Sequence, residues 1–399
     1  MNQKSQHTQQ ERLWNSNYMK IWIANFMIFF SFMLLTPLLP SYLSETFGAD
    51  KQTIGIVLSG YTLTALIIRA LSGYMVDSFP RRIVLIISYF FFALLFAGYL
   101  VAGTLLLFAI VRTLHGAPFG ATTVSNSTVA IDVLHPSRRA EGIGYYGLSN
   151  NIATAISPTV ALLLFESYNN YDLLFWVAFA TALIGLTSTA LVKVNEREIS
   201  KPKQPLSLDR FILLKGWRQG LAMICYSFSY GVLATYIAIY GKDELGITGG
   251  TGLFFMLLAM GLALSRIVGG RKLRQGKVTQ NASLGIAVSL VGYLIFAAVH
   301  NQWGYYGAAL IIGLGNGHMF PAFQTMFINL AENSQRGTAN STLLVSWDIG
   351  IGLGILVGGI VAEHINYHAT FWTAWGVNAV GVAIFYLFAR KHFLQNRLR

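Results

Sequence analysis

The stretch IRALSGYMVDSFPRR, residues Ile68–Arg82, closes one apolar segment and opens the next. Gly73 lets a neighbouring backbone come close, because it carries no Cβ. Asp77 is an acceptor suited to the N-terminus of a neighbouring helix. Pro80 stops the helix before it, and Arg81 and Arg82 hold the turn on the cytoplasmic side of a bilayer. The stretch therefore reads as a tight cytoplasmic hairpin between two membrane helices.

Composition agrees. Of 399 residues, 54% are hydrophobic and only 11% charged, and mean hydropathy is positive, which describes a chain whose surface faces lipid. The net charge of +12 suggests nucleic acid only until the cations are placed. Cys225 is the single cysteine, which excludes an intramolecular disulfide and a cysteine-based zinc cluster. No phosphate-cradling loop, no H-E-x-x-H and no metal-ligand spacing stands in the chain, so neither an enzyme nor ATP drive is expected, and no cofactor beyond a coupling proton. The polar start MNQKSQHTQQERLWNSNYMK runs into an apolar segment without a small-residue cleavage site, so that segment is expected to persist as a helix.

Apolar runs of membrane-crossing length recur along the chain. They fall at Ile21–Leu43, Ile54–Met75, Ile83–Ala102, Leu105–Val129, Gly142–Phe165, Leu173–Val192, Leu221–Tyr240, Thr251–Gly270, Ala282–Val299, Tyr305–Leu330, Thr338–Ala362 and Thr370–Ala389. One long polar connection divides them six and six. The expected organisation is a cytoplasmic tail over 1–20, a six-helix bundle over 21–192, a cytoplasmic loop over 193–218, a second bundle over 219–389 and a tail over 390–399. With both termini inside, 23 of the 28 Lys and Arg lie in cytoplasmic segments. That bias predicts the orientation and explains the basic charge through anionic lipid headgroups.

The Asp77 loop resembles the G-x-x-x-D-x-x-G-R-[KR] signature of the major facilitator superfamily, with Pro80 where that family has Gly. Leu107–Gly120, LFAIVRTLHGAPFG, resembles its fourth-helix signature R-x-x-[QH]-G, carried by proton-driven antiporters. Thr36-Pro37-Leu38-Leu39-Pro40 resembles the proline pair of drug-efflux members, and its physical effect is to loosen a helix end. His135–Gly147, HPSRRAEGIGYYG, is similar to their fourth-to-fifth connection, and Arg336–Gly359 to a Gly-rich eleventh helix whose start and Asn340 would sit near Asp77. The fifth span departs: where antiporter members carry G-x-x-x-G-P-x-x-G-G, this chain has Ala153 to Leu162 around Ser157-Pro158, keeping the helix-bending Pro158 without the glycines. The resemblance implies an all-α integral membrane protein, with twelve transmembrane helices as two pseudo-symmetric six-helix bundles. A weak internal repeat fits it: R-x-x-x-G at Arg69–Gly73 recurs at Arg266–Gly270, with Arg274 in the place of Asp77. Arg69 and Arg266 are expected to snorkel to the headgroups and fix the loop.

Ionisable groups inside the membrane are costly and point to function. Asp348, in SWDIG, lies about 14 Å into the eleventh span at 1.5 Å per residue. A carboxyl kept at that depth resists ionising, as a reversible proton carrier must; a structural hydrogen bond to a neighbouring helix is the plainer reading. By resemblance Arg112 is tied to proton coupling, and as a permanent cation it can stabilise a carboxylate or a bound anion. His115 lies one turn further along the same helix and titrates near neutral pH in its ordinary state; a packing role is equally open to it. The first, fourth, seventh and tenth spans line the path in the family, which makes Asn25, Asn126, Tyr226, Tyr230, Tyr236, Asn316, His318 and Gln324 cavity candidates, many of them expected to be interhelical hydrogen bonds or interface aromatics instead. The expected activity is proton-coupled efflux of a small amphipathic or weakly polar molecule by alternating access. The alternative is a symporter or facilitator for a nutrient. The resemblance further implies the inner membrane of a bacterium, a monomer, and no nucleic-acid partner.

Overall fold

The computed structural model describes residues 12–36, 38–49, 51–194, 211–247 and 251–398, and every regular element among them is helical. The helices are α1 (Ser16–Leu35), α2 (Leu39–Phe47), α3 (Lys51–Ser78), α4 (Arg81–Leu100), α5 (Leu105–Asp132), α6 (Arg139–Tyr168), α7 (Tyr171–Ala190), α8 (Trp217–Asp243), α9 (Thr251–Arg274), α10 (Val278–Ala298), α11 (Gln302–Leu330), α12 (Arg336–His364), α13 (Tyr367–Ile384) and α14 (Arg390–Asn396). Twelve of these are long and two, α2 and α14, are short. The twelve long helices are the expected spans. Among the described residues, nine are apolar and long enough to cross a bilayer by composition alone. Those that fall short, α6, α9 and α11, include the two that carry Asn150 and Asn151, and Asn316, His318 and Gln324.

Local chemistry sets the ends. Side chains of Asn15, Thr104, Asn170, Asn301 and Asn366 accept from backbone N–H groups in the first turns of α1, α5, α7, α11 and α13, which satisfies donors that a helix start leaves open. Gly48 ends α2 at φ +65°, a left-handed position that glycine adopts without strain.

Several boundaries differ from the sequence reading. The first span stops at Leu35 instead of Leu43, and α2 follows with Pro40 in its first turn. Proline fits the first turn, where its missing N–H would have no intrahelical partner in any case; Pro37 lies outside the described residues. The segment 390–396, expected as tail, is α14, which continues α13 through one π turn at Phe385–Ala389. Of the central loop, 195–210 lies outside the described residues, and Leu214–Gly216 forms a 3-10 turn leading into α8. The helix α6 runs unbroken through Pro158, whose side chain, like those of Arg266 and Arg274, is outside the description.

The chain forms two compact units. Unit 1 holds the described residues of Met1–Gly142, Ser149–Ile212 and Ser334–Ser341; unit 2 holds those of Ile143–Leu148, Leu213–Asn333 and Thr342–Arg399. In unit 1, α5 packs on α3 and α4, and α7 on α1 and α4. In unit 2, α11 packs on α9 and α10, and α13 on α8 and α10.

The numbering shift that carries Arg69 to Arg266 extends this likeness to single residues. Gly116 lies against the Tyr61 carbonyl, where an added Cβ would stand 2.0 Å away, and Gly313 against the Leu258 carbonyl, at 2.1 Å. One shift relates both pairs, and it also relates Gly120 to Gly317. These seams let backbones touch, which is how helices associate where lipid removes the hydrophobic drive. Tyr99 against Phe108 in unit 1 becomes Phe296 against Tyr305 in unit 2, at 5.1 and 5.9 Å.

Candidate functional site

Two groups of charged residues stand out, both in unit 1. The first is built on the hairpin. The helix α3 ends at Ser78 and α4 begins at Arg81, with the Pro80 carbonyl accepting from Ile83 and Val84, so Pro80 makes the turn without a glycine. Asp77 accepts from the backbone N–H of Gly337 at 2.9 Å and of Thr338 at 2.8 Å, and from the Thr338 hydroxyl at 3.0 Å. A carboxylate in that place meets the positive end of the α12 dipole. The approach depends on Gly73, where a Cβ would come within 2.9 Å of the Thr338 Cα. Arg81 donates to Asp77 at 3.1 Å and also to Asp132 at the end of α5, and Arg336 donates to Asp132 at 3.2 Å. Asp132 and Arg336 thus complete a chain of four alternating charges, and the sequence reading missed both as site residues. Arg82 stands apart and donates to the Ala190 carbonyl at the end of α7.

Two expectations about this region need correction. Arg69 does not reach for headgroups. It is buried, donates to the Thr123 hydroxyl at 3.3 Å and lies 5.4 Å from the centre of the Phe119 ring, because α5 offers it an aromatic face and an acceptor. Asn340 points to α5 instead of Asp77, donating to the Val124 carbonyl and to the hydroxyls of Ser127 and Thr128.

The second group surrounds Arg112 on α5. The guanidinium is 4% exposed. Its carbon lies 4.3 Å from the Tyr61 ring centre and 5.2 Å from that of Phe32, and one N–H reaches the Tyr99 hydroxyl at 3.4 Å. Tyr99 and the Nδ1 of fully buried His115 are 2.9 Å apart. Since Arg can only donate, the Tyr99 oxygen accepts from it, while the direction of the Tyr99–His115 bond follows the imidazole tautomer. Four aromatic rings, of Tyr61, Phe92, Phe96 and Tyr99, close around that imidazole at 4.6 to 5.8 Å. Among the described residues no carboxylate pairs with Arg112. The sequence pointed to Arg112 and His115 but gave no sign of Tyr99, Tyr61 or Phe32, which come from other helices.

The remaining candidates are spread over both units. In unit 1, Asn25 on α1 donates to Ser149 on α6 at 2.8 Å, and Asn126 on α5 to the Ile21 carbonyl at 3.4 Å. In unit 2, His318 and Asn281 bond each other twice, at 2.9 and 3.0 Å, and Asn316 accepts from Ser289 at 3.4 Å. Tyr236 donates to the Ile355 carbonyl at 2.6 Å, Tyr226 packs on Phe323, and Gln324 is buried. Tyr230 lies 5.5 Å from Trp347, the neighbour of Asp348. Asp348 is half-buried on α12, about 18 Å along the axis from the helix start at Arg336. Several of these groups therefore tie helices together within their own unit.

Comparison with known proteins adds a family. The Major Facilitator Superfamily pattern matches residues 21–332 and 276–397. The staphylopine export protein of Staphylococcus aureus is 23% identical, over 88% of this chain and 90% of its own. The multidrug resistance protein MdtG of Enterobacter lignolyticus is 24% identical, over 90% and 88%. A crystal structure of the human organic anion transporter MFSD10 superposes with a TM-score of 0.80 at 16% identity, covering 92% of this chain and 98% of that one. With that pattern spanning most of a twelve-helix chain, the protein belongs to the Major Facilitator Superfamily.

Proposed function

We propose that this membrane protein exports a small amphipathic or weakly polar molecule in exchange for protons, by alternating access. The observation that carries this reading is the Arg112–Tyr99–His115 centre, a permanent cation and a titratable ring enclosed by aromatic side chains within a membrane span. Groups of that kind are kept in a bilayer for ion or substrate handling. The names of two relatives, an export protein and a multidrug resistance protein, favour the outward direction.

In this proposal Asp348 carries the proton, Arg112 and His115 couple it to substrate, and Asp77 with Gly73, Arg81 and Arg82 sets the balance between inward- and outward-open states. The chain acts as a monomer in the inner membrane of a bacterium, with both termini cytoplasmic as the Lys and Arg distribution suggests. Uptake of a nutrient with protons is the second reading, supported by Ala153, Ser157, Ala161 and Leu162, which stand in the places of the antiporter glycines around Pro158.

The test is proton flux in liposomes holding the purified protein under an imposed pH gradient, while lipophilic cations, sugars, small peptides and organic acids are added in turn. Compound-triggered flux in the wild type and its loss in Asp348→Asn are expected, with the direction separating export from uptake. Full gradient coupling in Asp348→Asn would remove Asp348 from the mechanism. Gradient-independent uptake would replace exchange with facilitation.

A further inference from the structure

The internal repeat supplies a control for Arg112. Under the shift that carries Arg69 to Arg266, Arg112 falls on Ala309, His115 on Ile312, Tyr99 on Phe296 and Tyr61 on Leu258. Unit 2 fills those four places with buried apolar side chains of one core cluster. The same helix frame therefore closes without a cation, and packing does not require one in unit 1.

Keeping a guanidinium there is costly, because it stays charged whatever the pH and has left water. Its present partners offset that only in part. Among the described residues they are two ring faces and one long hydrogen bond to a neutral hydroxyl, and its buried Nε–H meets no acceptor there. Ring quadrupoles and hydroxyls ease a cation; only an anion cancels it.

Beside the guanidinium lies an apolar wall. Phe32, half-buried on α1, stacks on Phe119 at 4.9 Å and on Tyr61 at 4.7 Å, and Phe29 meets the edge of Phe119 at 5.9 Å. Resting on the transport reading, we propose that Arg112 binds the carboxylate of an amphipathic substrate whose flat apolar body lies along Phe29, Phe32 and Phe119. The planar fork of a guanidinium matches a carboxylate with two parallel N–H donors. A phosphate dianion carries more charge than this single cation neutralises. The substrate class narrows accordingly, from any amphipathic molecule to an aromatic or otherwise flat monocarboxylate.

The experiment uses the full-length protein in nanodiscs and three probes with one ring system: 1-naphthoic acid, 1-naphthalenemethanol and 1-naphthylmethylamine. Calorimetric titration at neutral pH should show the acid binding at least about tenfold more tightly than the other two. Arg112→Gln should bind acid and alcohol alike, its alcohol binding and its size-exclusion profile showing that it is folded. Arg112→Lys, which keeps the charge without the fork, should fall between. Equal binding of the three probes by the wild type, no binding of the acid, or an acid preference that survives in Arg112→Gln overturns the proposal. The transport reading fails separately. Proton flux triggered by another compound would outlive a negative binding result, and acid binding in a protein that moves no protons with any compound would sink that reading alone.

Discussion

The helices α5 and α11 hold equivalent places in their units and solve the same packing problem in the same way. Each carries glycines at matching positions, each presses them onto carbonyls of the helix beside it, and each is buried along most of its later half. They part most plainly at one place. In α5 it holds Arg112 and His115, in α11 Ala309 and Ile312. A repeated frame that accepts both contents shows which residues build the bundle and which are added to it. Shape is shared by the two units; at this place the charge is held by one.

Substitutions can break or sharpen that contrast. The largest effect is expected from moving the cation. Ala309→Arg puts an unpaired charge into the apolar cluster of unit 2 and should cost about 3–5 kcal/mol, read as loss of monodisperse protein after solubilisation. The reciprocal Arg112→Leu should keep or raise the melting temperature while abolishing compound-triggered flux, and marked unfolding would mean that the two sites are not equivalent. Next come the seams. Gly116→Ala and Gly313→Ala should each cost about 1–3 kcal/mol by overpacking and lower the melting temperature by similar amounts; a harmless change at one would end the parallel there. A smaller loss, about 1–2 kcal/mol, is expected from Asp77→Asn, which weakens charge-assisted hydrogen bonds to α12. It should also change the labelling rates of cysteines placed on the two faces, and unchanged rates would remove Asp77 from gating. Arg82→Gln should cost no more than a few tenths of a kcal/mol, because its bond to Ala190 is exposed. A large drop in thermal stability would give that arginine a weight its geometry does not.

Much of this was legible before any coordinates. Hydropathy located the twelve spans, since a bilayer demands about the same length of apolar chain each time, and the hairpin at Asp77–Arg82 showed its turn, its acceptor and its cations. Arg112 stood out because a cation in an apolar run is costly. What surrounds it was not legible. Tyr99, Tyr61 and Phe32 are ordinary aromatic residues in membrane helices, and only tertiary packing brings them to one guanidinium. Asp132 was overlooked at the end of its span, where acids are common. Arg69 was misjudged because a long side chain near a helix end has two outlets, and the sequence shows the lipid one without the ring of Phe119. A usable signal did exist for the site: extending the Arg69–Arg266 shift to the fourth and tenth spans sets Arg112 beside Ala309.

The four-charge chain at the hairpin also bears on how such a protein is made. A nascent chain is oriented in the membrane by its Lys and Arg, while Asp and Glu contribute little to that choice. In the proposed orientation Arg81 and Arg336 serve as such signals when the chain emerges. Both lie at helix starts, where a cation opposes the dipole, so what guides insertion becomes a burden after folding. Asp132 lifts it by taking both guanidinia. Biogenesis and the finished structure make opposite demands on the same two arginines, and one carboxylate reconciles them once the helices pack.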